Sequence, residues 1–277
     1  MEYENPEIPE GINTTSTHPL KNLAVLLGGL LVLLALGAWL LGMTGAYLAA
    51  KIPYSQELRL AEKYAEPVAA STPIERYLQQ LADQVGRSME LPSGMKITVH
   101  YVDEGTDNAF ATLGGNVFLY RGLLEKLPNE NALAMLIAHE AAHVLHRDPI
   151  VSVGQNAAIS MGLMVVLGDT GASGILGSAG LLTQLQFSRS MENKADEAGL
   201  LAVQRIYGHL GGALDLYRVL ESISDANPVN PPAFFSTHPV SEARFSHLSE
   251  LIAENGWSAN GDVQALPESF SVWMTDR

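Results

Sequence analysis

The sequence predicts a mainly α-helical protein with a small antiparallel β-sheet, placed after one N-terminal transmembrane helix. Three observations support this fold class. An uncharged apolar segment covers residues 23–50, helix-capping signals and helical periodicity recur after it, and strand-like alternation is confined to residues 96–102 and 109–124. With 277 residues, the chain is long enough to bury a large hydrophobic core without a disulfide or metal to hold it.

The N-terminal part separates into a tail and an anchor. Residues 1–22 are acidic, polar and proline-containing, and they lack an apolar period, which predicts a disordered tail. Residues 23–50 carry no charge and are long enough to cross a bilayer. The acidic start and the length of the apolar run favour an uncleaved anchor over a signal peptide. More basic residues follow the anchor than precede it, which favours a cytoplasmic C-terminal domain.

Residues 51–254 are interpreted as the folded domain and residues 255–277 as a C-terminal tail. The first amphipathic helix should follow Thr72, because Pro73 suits the first helical position and Glu75 completes a capping box.

Alternating β-branched and aromatic residues predict strands over 96–102 and within 109–124. Gly114 and Gly115 should separate two short strands there, followed by a turn of helix. These three strands are expected to form a small antiparallel sheet.

The later part of the domain is predicted to be helical. One helix should begin near Asn129 and end at Asp148, because Pro149 follows. Residues 151–186 are apolar but are interrupted by Asp169 and several glycines, which favours a buried or membrane-dipping helical hairpin over two further crossings. Further helices are expected at 188–208, 210–223 and 239–254.

Composition narrows the function classes. A formal net charge of −14 argues against a nucleic-acid partner, because phosphate binding needs clustered Lys and Arg. The chain has no cysteine, which excludes a disulfide framework, a thiol nucleophile and a thiolate metal site. Any metal must therefore be held by His, Asp and Glu.

The stretch HEAAH at residues 139–143 has the spacing of a metal site. His139 and His143 lie four residues apart, on one face of a helix, so their imidazoles can point at one metal ion. Glu140 lies about 100° round the helix, where it can accept a proton from a water without binding the metal. Two imidazoles, one carboxylate and an open position suit catalytic zinc, provided that a third ligand exists.

This stretch has two other interpretations. A motif this short also occurs by chance in helices that bind nothing, although burying its polar side chains among apolar residues is costly without partners. His146 lies on a neighbouring face and is expected to support a ligand or to lie at the surface. The metallopeptidase subclass with a third histidine needs Gly at position 146 and His at position 149. This chain has His146 and Pro149 at those positions, so that subclass is excluded.

The third ligand should be a carboxylate on another helix. Glu192 and Asp196 are four residues apart and face the same way, so one could bind zinc while the other fixes a histidine tautomer. Glu197 and Glu221 are alternatives on composition alone. A solvated helix face would also carry such residues without any function.

Four separated motifs resemble a known family. They are DNAFATLGGNVFLYRGLL at 107–124, HEAAHVLHRDP at 139–149, SRSMENKADEAGL at 188–200 and STHPVSEAR at 236–244. Their order and content, over roughly residues 55–250, resemble the membrane-associated gluzincin metallopeptidases related to the HtpX heat-shock protease, the mitochondrial Oma proteases and the CAAX prenyl protease. The resemblance implies a zincin-type metalloprotease domain.

The resemblance also implies roles for individual residues. It implies one zinc ion per chain bound by His139, His143 and Glu192, with Glu140 as general base and Asp196 supporting a ligand. It further implies that His238 and Arg244 approach the metal and that Asn108 lines the substrate cleft.

Several of these roles have alternatives. His238 could donate to the oxyanion, as Arg244 could, or fill the fourth zinc position as a brake. Without a catalytic role, His238 would simply precede the start of a helix and Arg244 would be solvated on that helix. Asn108 would then be a turn residue before a strand.

The function expected from these features is a membrane-anchored zinc endopeptidase. We expect it in a single-pass topology, in a bacterial inner membrane, with unfolded or misassembled polypeptides as substrates and the lipid bilayer as a partner. One predicted span instead of a helical chamber argues against processing of prenylated proteins. The alternative is an anchored assembly factor or holdase with a latent metal site. Glu140 favours the enzyme, because a binding module needs no general base.

Overall fold

The structure is a computed structural model that describes residues 18–62, 72–168, 185–226, 232–238 and 242–275. Its strands are β1 (Thr98–Val102), β2 (Ala109–Ala111) and β3 (Asn116–Tyr120). Its helices are α1 (Pro19–Ala50), α2 (Tyr54–Ala61), α3 (Pro73–Ser88), α4 (Arg121–Leu124), α5 (Glu130–His146), α6 (Asp148–Leu167), α7 (Arg189–Tyr207), α8 (Asp215–Ala226), α9 (Ala233–Thr237), α10 (Glu242–Glu254) and α11 (Phe270–Thr275).

The predicted anchor forms one continuous helix. α1 begins at Pro19, four residues before the expected start, and has a mean hydropathy of 2.5 over its most apolar window, which is not buried by the protein. Its length and composition are sufficient to cross a membrane. Residues 1–17, where the disordered tail was predicted, lie outside the described residues.

α6 runs beside α1 and is also long and apolar enough to cross a membrane, with a mean hydropathy of 1.4. The two helices approach closely through glycines. A Cβ on Gly154 would lie 2.3 Å from the Cβ of Ala49, and one on Gly45 would lie 2.3 Å from the carbonyl oxygen of Gly154. Such small residues allow close helix packing where lipid is the surrounding solvent. α6 covers the first half of the predicted apolar hairpin, and residues 169–184 of that hairpin lie outside the described residues.

The sheet is mixed, which corrects the expectation of a wholly antiparallel one. β2 and β3 pair antiparallel around a 3-10 turn at Leu113–Gly115, as the glycines predicted, whereas β1 pairs parallel with β3. The strand order is β1-β3-β2, so β3 returns between the other two and runs in the direction of β1. Side-chain alternation reveals strands but not their direction.

The turn between β2 and β3 requires its glycines. Gly114 and Gly115 have φ angles of 75° and 83°, which residues with a side chain rarely adopt. A Cβ on Gly115 would also lie 2.0 Å from the carbonyl oxygen of Lys96.

The core lies between the sheet, α3, α5 and α7. The capping box at Thr72 and Glu75 is present, and it places Leu78 and Leu81 of α3 in the core. α5 is buried from Asn131 to Val144, which explains why its apolar residues surround the helix instead of following one stripe.

The ends of the two central helices were predicted nearly correctly. Asn129 caps α5 by accepting from Ala132 N, and Ser188 and Gly208 cap α7. α5 ends at His146 instead of Asp148, because Arg147 adopts a left-handed conformation with φ 62° and Asp148 opens α6.

Residues 255–275, assigned to a tail from the sequence, pack against the domain. Phe270 and Met274 of α11 belong to the hydrophobic core. Gln264 bonds to the start of α5 through Glu130 N and the Asn131 side chain.

Candidate metal centre

Three of the predicted ligands meet where α5 packs on α7. The Nε2 atoms of His139 and His143 are 3.2 Å apart. The Glu192 carboxylate oxygens lie 3.5 Å from His139 Nε2 and 3.4 Å from His143 Nε2. All three side chains are at most 2% exposed. The four-residue spacing on α5 and the buried start of α7 therefore direct three donor atoms at one point.

His238 completes the cluster. Its Nδ1 lies 3.0 Å from Glu192 Oε1 and 3.3 Å from His139 Nε2, and one donor atom from each of the four residues falls within 4.8 Å of the others. Tetrahedral zinc with bonds of about 2.0–2.1 Å has ligand-to-ligand distances of roughly 3.3 Å. The observed separations match that size, so the donor set fits a tetrahedral metal ion.

The outer nitrogens of the two motif histidines are held by carboxylates. His139 Nδ1 lies 2.9 Å from Asp196 Oδ1, and His143 Nδ1 lies 2.9 Å from Asp148 Oδ2. Each contact fixes the ring so that Nε2 faces the centre of the cluster, an arrangement typical of metal-binding histidines. Asp196 was predicted for this role. Asp148 was missed, because the sequence places it only at a helix end.

Arg244 contacts two carboxylates of the site. Its Nε and one terminal nitrogen donate to Asp196, and another terminal nitrogen lies 2.6 Å from Glu192 Oε2. Tyr217 donates to Asp196 Oδ1 at 2.6 Å. These contacts orient Glu192 and Asp196, whereas the sequence suggested that Arg244 donates to an oxyanion.

The electrostatics keep both carboxyls ionised. Burial raises the pKa of Asp196, but hydrogen bonds from Arg244 and His139 outweigh it and lower that pKa well below its usual range. Burial likewise raises the pKa of Glu192, and the neighbouring histidines outweigh it, His238 most strongly. An ionised carboxylate is the form that binds a metal ion.

Two aromatic rings enclose the site. Phe187 stacks on His143 with ring centroids 4.0 Å apart, and Phe234 of α9 stacks on His238 at 4.7 Å. His238 is fully buried as a result. Sequence reasoning missed both phenylalanines, because nothing in their local pattern distinguishes them from ordinary core residues.

Glu140 is completely buried, and neither of its carboxylate oxygens has a hydrogen-bond partner among the described residues. Its Oε1 lies 3.4 Å from His238 Nε2. Leaving a buried carboxylate without hydrogen bonds is costly, which indicates that the site is built for a group that supplies them.

The other residues that the sequence singled out differ in burial and in distance from the cluster. Asn108 is 7% exposed and lies just before β2, beside Asp107, whose carbonyl accepts from Phe234 N. His146 is exposed and lies outside the cluster. The rival carboxylates Glu197 and Glu221 are exposed, unlike Glu192.

Two histidines and a glutamate converge on one point, beside a second buried glutamate that has no hydrogen-bond partner among the described residues. Together they define a centre of the metallopeptidase class. Residues 69–252 match Peptidase family M48, and the chain belongs to that family of metal-dependent peptidases.

Curated relatives agree with this assignment. The chain is 31% identical to mitochondrial metalloendopeptidase OMA1 of Schizosaccharomyces pombe over 166 residues, covering 58% of this chain and 48% of the relative. It is 26% identical to the beta-barrel assembly-enhancing protease of Yersinia pestis over 221 residues, covering 73% and 45%. It is 28% identical to the protease HtpX homolog of a Sulfurovum species over 284 residues, covering 83% and 98%. The chain thus spans about half the length of the first two relatives.

Proposed function

We propose that this protein is a membrane-anchored zinc endopeptidase. The observation that carries the proposal is the convergence of His139 Nε2, His143 Nε2 and the Glu192 carboxylate. Beside them lies Glu140, whose carboxylate has no hydrogen-bond partner among the described residues. Zinc suits this set because the donors are nitrogen and oxygen atoms at tetrahedral separations. His139, His143 and Glu192 would hold the ion, at one per chain.

Bound zinc supplies a Lewis acid that polarises the peptide carbonyl and lowers the pKa of a water toward about 7. Glu140 removes the proton from the attacking water and then delivers it to the amide nitrogen that leaves. Glu140 therefore ends the reaction in the ionised form in which it began. Asp196 and Asp148 hold the two histidines in the tautomer with the proton on Nδ1. Arg244 is a positioning residue that fixes Glu192 and Asp196.

The substrates we propose are unfolded or misassembled polypeptides close to the membrane. α1 would tether the domain there, and the charge balance around the anchor favours the cytoplasmic side of a bacterial inner membrane. β2 is an edge strand beside the site, so a substrate can bind through main-chain hydrogen bonds with little dependence on its sequence. The relative named for enhancing β-barrel assembly supports a role in quality control of envelope proteins.

Metal removal tests the proposal. The purified full-length protein should contain about one zinc ion per chain and cleave unfolded casein. Dialysis against a chelator should abolish cleavage, and about one equivalent of zinc should restore it. Zinc binding without any cleavage of unfolded substrates would instead favour the holdase.

A second prediction concerns His238. Its Nδ1 lies at the fourth corner of the donor set, so we propose that it excludes water in the resting protein. His238→Ala should then retain zinc and raise basal peptidase activity several-fold. Arg244→Ala should lower both zinc affinity and activity, because Glu192 loses its guanidinium partner. A fall in activity of roughly 100-fold or more in His238→Ala, with zinc retained, would instead assign this histidine to the oxyanion.

A further inference from the structure

A buried ion pair lies between the end of α1 and the metal centre and is not part of the ligand set. Arg147, the residue between α5 and α6, donates through Nε and one terminal nitrogen to Glu57 Oε2 of α2, at 3.1 and 2.7 Å. Its other terminal nitrogen donates to Ile52 O at 2.6 Å, in the short link between α1 and α2. The Glu57 side chain is 3% exposed, so its charge needs the guanidinium as a partner.

Glu57 also holds the turn between β2 and β3. Its Oε1 accepts from Gly114 N at 3.0 Å. Residues next to these contacts form a small apolar cluster, separate from the main core, with members from α1, α2, that turn and α6: Ala49, Ala61, Leu113 and Ile150. The end of α1, the sheet and the start of α6 are therefore fixed to one another at this point.

The backbone of Arg147 has a conformation that residues with a side chain rarely adopt. Its φ of 62° and ψ of 29° lie in the left-handed region, which glycine enters without steric cost. On backbone grounds alone, glycine would suit this turn better. The chain carries arginine here, and the contacts of its side chain with α2 offset the cost of the turn.

The direction of this turn matters because Asp148 follows it directly. Asp148 is buried, and its Oδ2 lies 2.9 Å from His143 Nδ1. His143 is one of the three proposed zinc ligands, and a contact of this kind orients its ring. A change in the chain direction at Arg147 would move the Asp148 carboxylate relative to that ring. A continuous series of contacts thus runs from α2 to a metal ligand.

From these contacts we infer that Glu57 and Arg147 are positioning residues for the metal centre. They lock the left-handed turn, the turn places Asp148, and Asp148 holds His143 in the orientation that binds the metal. The geometry of the centre is thereby tied to the position of α2 at the end of α1. This inference rests on the proposed function and adds two residues to those that set the affinity for zinc.

Glycine at position 147 separates the side chain from the backbone turn. Arg147→Gly keeps a residue that readily adopts the left-handed conformation and removes every side-chain contact. The zinc affinity of the full-length protein, measured by competition with a chelator, should fall about 10-fold, the lower end of the range for residues that support a ligand. Glu57→Gln should have a similar effect, because it keeps an acceptor for Gly114 N and removes the charge that holds Arg147.

A double-mutant cycle tests whether Arg147 acts through Asp148. Asp148→Ala should weaken zinc binding by about 10 to 100-fold. Adding Arg147→Gly should cause little further loss, because the carboxylate that the turn places is already absent. Cobalt bound in place of zinc gives a second readout, since its visible spectrum reports the ligand geometry and should change in Arg147→Gly. Fully additive losses, or wild-type affinity and cobalt spectrum in Arg147→Gly, would overturn the inference.

Glu130→Gln is the matched control, because Glu130 is a part-buried carboxylate at the other end of α5 that accepts from Tyr77 and Tyr207. It should lower thermal stability and leave zinc affinity and the cobalt spectrum unchanged. An equal loss of zinc affinity in Glu130→Gln would overturn the inference, because any weakening of the fold would then suffice.

A further variant covers the case in which Arg147→Gly unfolds because Glu57 is left buried and unpaired. Glu57→Gln/Arg147→Gly removes both charges, and the same roughly 10-fold loss of zinc affinity is expected of it. Wild-type affinity in this variant would overturn the inference. A zinc-loaded wild type that cleaves no unfolded protein would overturn the proposed function alone, since the zinc affinities still decide the inference.

Discussion

Glu140→Gln is expected to retain about one zinc ion per chain and to lose peptidase activity by roughly 100 to 10,000-fold. The substitution keeps the size of the side chain and removes its ability to accept a proton. The ligands His139, His143 and Glu192 are untouched, so the metal stays. Because Glu140 has no hydrogen-bond partner among the described residues, the change breaks no hydrogen bond among them.

Zinc content by elemental analysis and cleavage of unfolded casein, measured on one preparation, check this expectation. Activity close to that of the wild type would contradict the assignment of Glu140 as the base. Loss of zinc together with activity would indicate that this carboxylate is a ligand instead.

The second large effect is expected at Glu192. Glu192→Ala removes one of three ligands and should weaken zinc binding by more than roughly 100-fold, the upper range seen when only a supporting residue is lost. Asp196→Ala should weaken it by about 10 to 100-fold, because His139 loses the partner that orients it. Titration with a competing zinc chelator measures both affinities.

Glu197→Ala provides the control for the same helix. Glu197 is exposed on α7, five residues after Glu192, so its removal should leave zinc affinity unchanged. Circular dichroism should show equal helicity in the three variants. If Glu197→Ala released the metal and Glu192→Ala did not, the carboxylate assigned here as the ligand would be the wrong one.

The parts of the site that depend on spacing within one helix could be predicted from sequence. The four-residue intervals between His139 and His143 and between Glu192 and Asp196 fix which side chains share a helix face. The cap at Asn129 similarly fixed where α5 begins. Composition alone could not separate Glu192 from Glu197, but burial does.

Other features depend on contacts between distant segments and left no local signal. Asp148 supports His143 only because Arg147 turns the chain between two helices, and the sequence suggested only that a helix ends there. Tyr217 reaches Asp196 from α8. β1 and β3 run parallel because β3 lies between β1 and β2 in the sheet. The alternation of residues along a strand does not encode its position in the sheet.

The single residue between α5 and α6 has a consequence for substrate choice. Ile150, near the start of α6, belongs to the same hydrophobic cluster as Ala49 at the end of α1, and Asp148 contacts His143 across five residues. Asp148 and Ile150 lie two residues apart on α6, about 3 Å along its axis, so the metal centre lies close to the level where α1 ends. In the proposed membrane-anchored peptidase, depth relative to the bilayer would therefore act as a filter. Peptide bonds that come close to the lipid surface would be cut, and equally unfolded chains far from it would be spared.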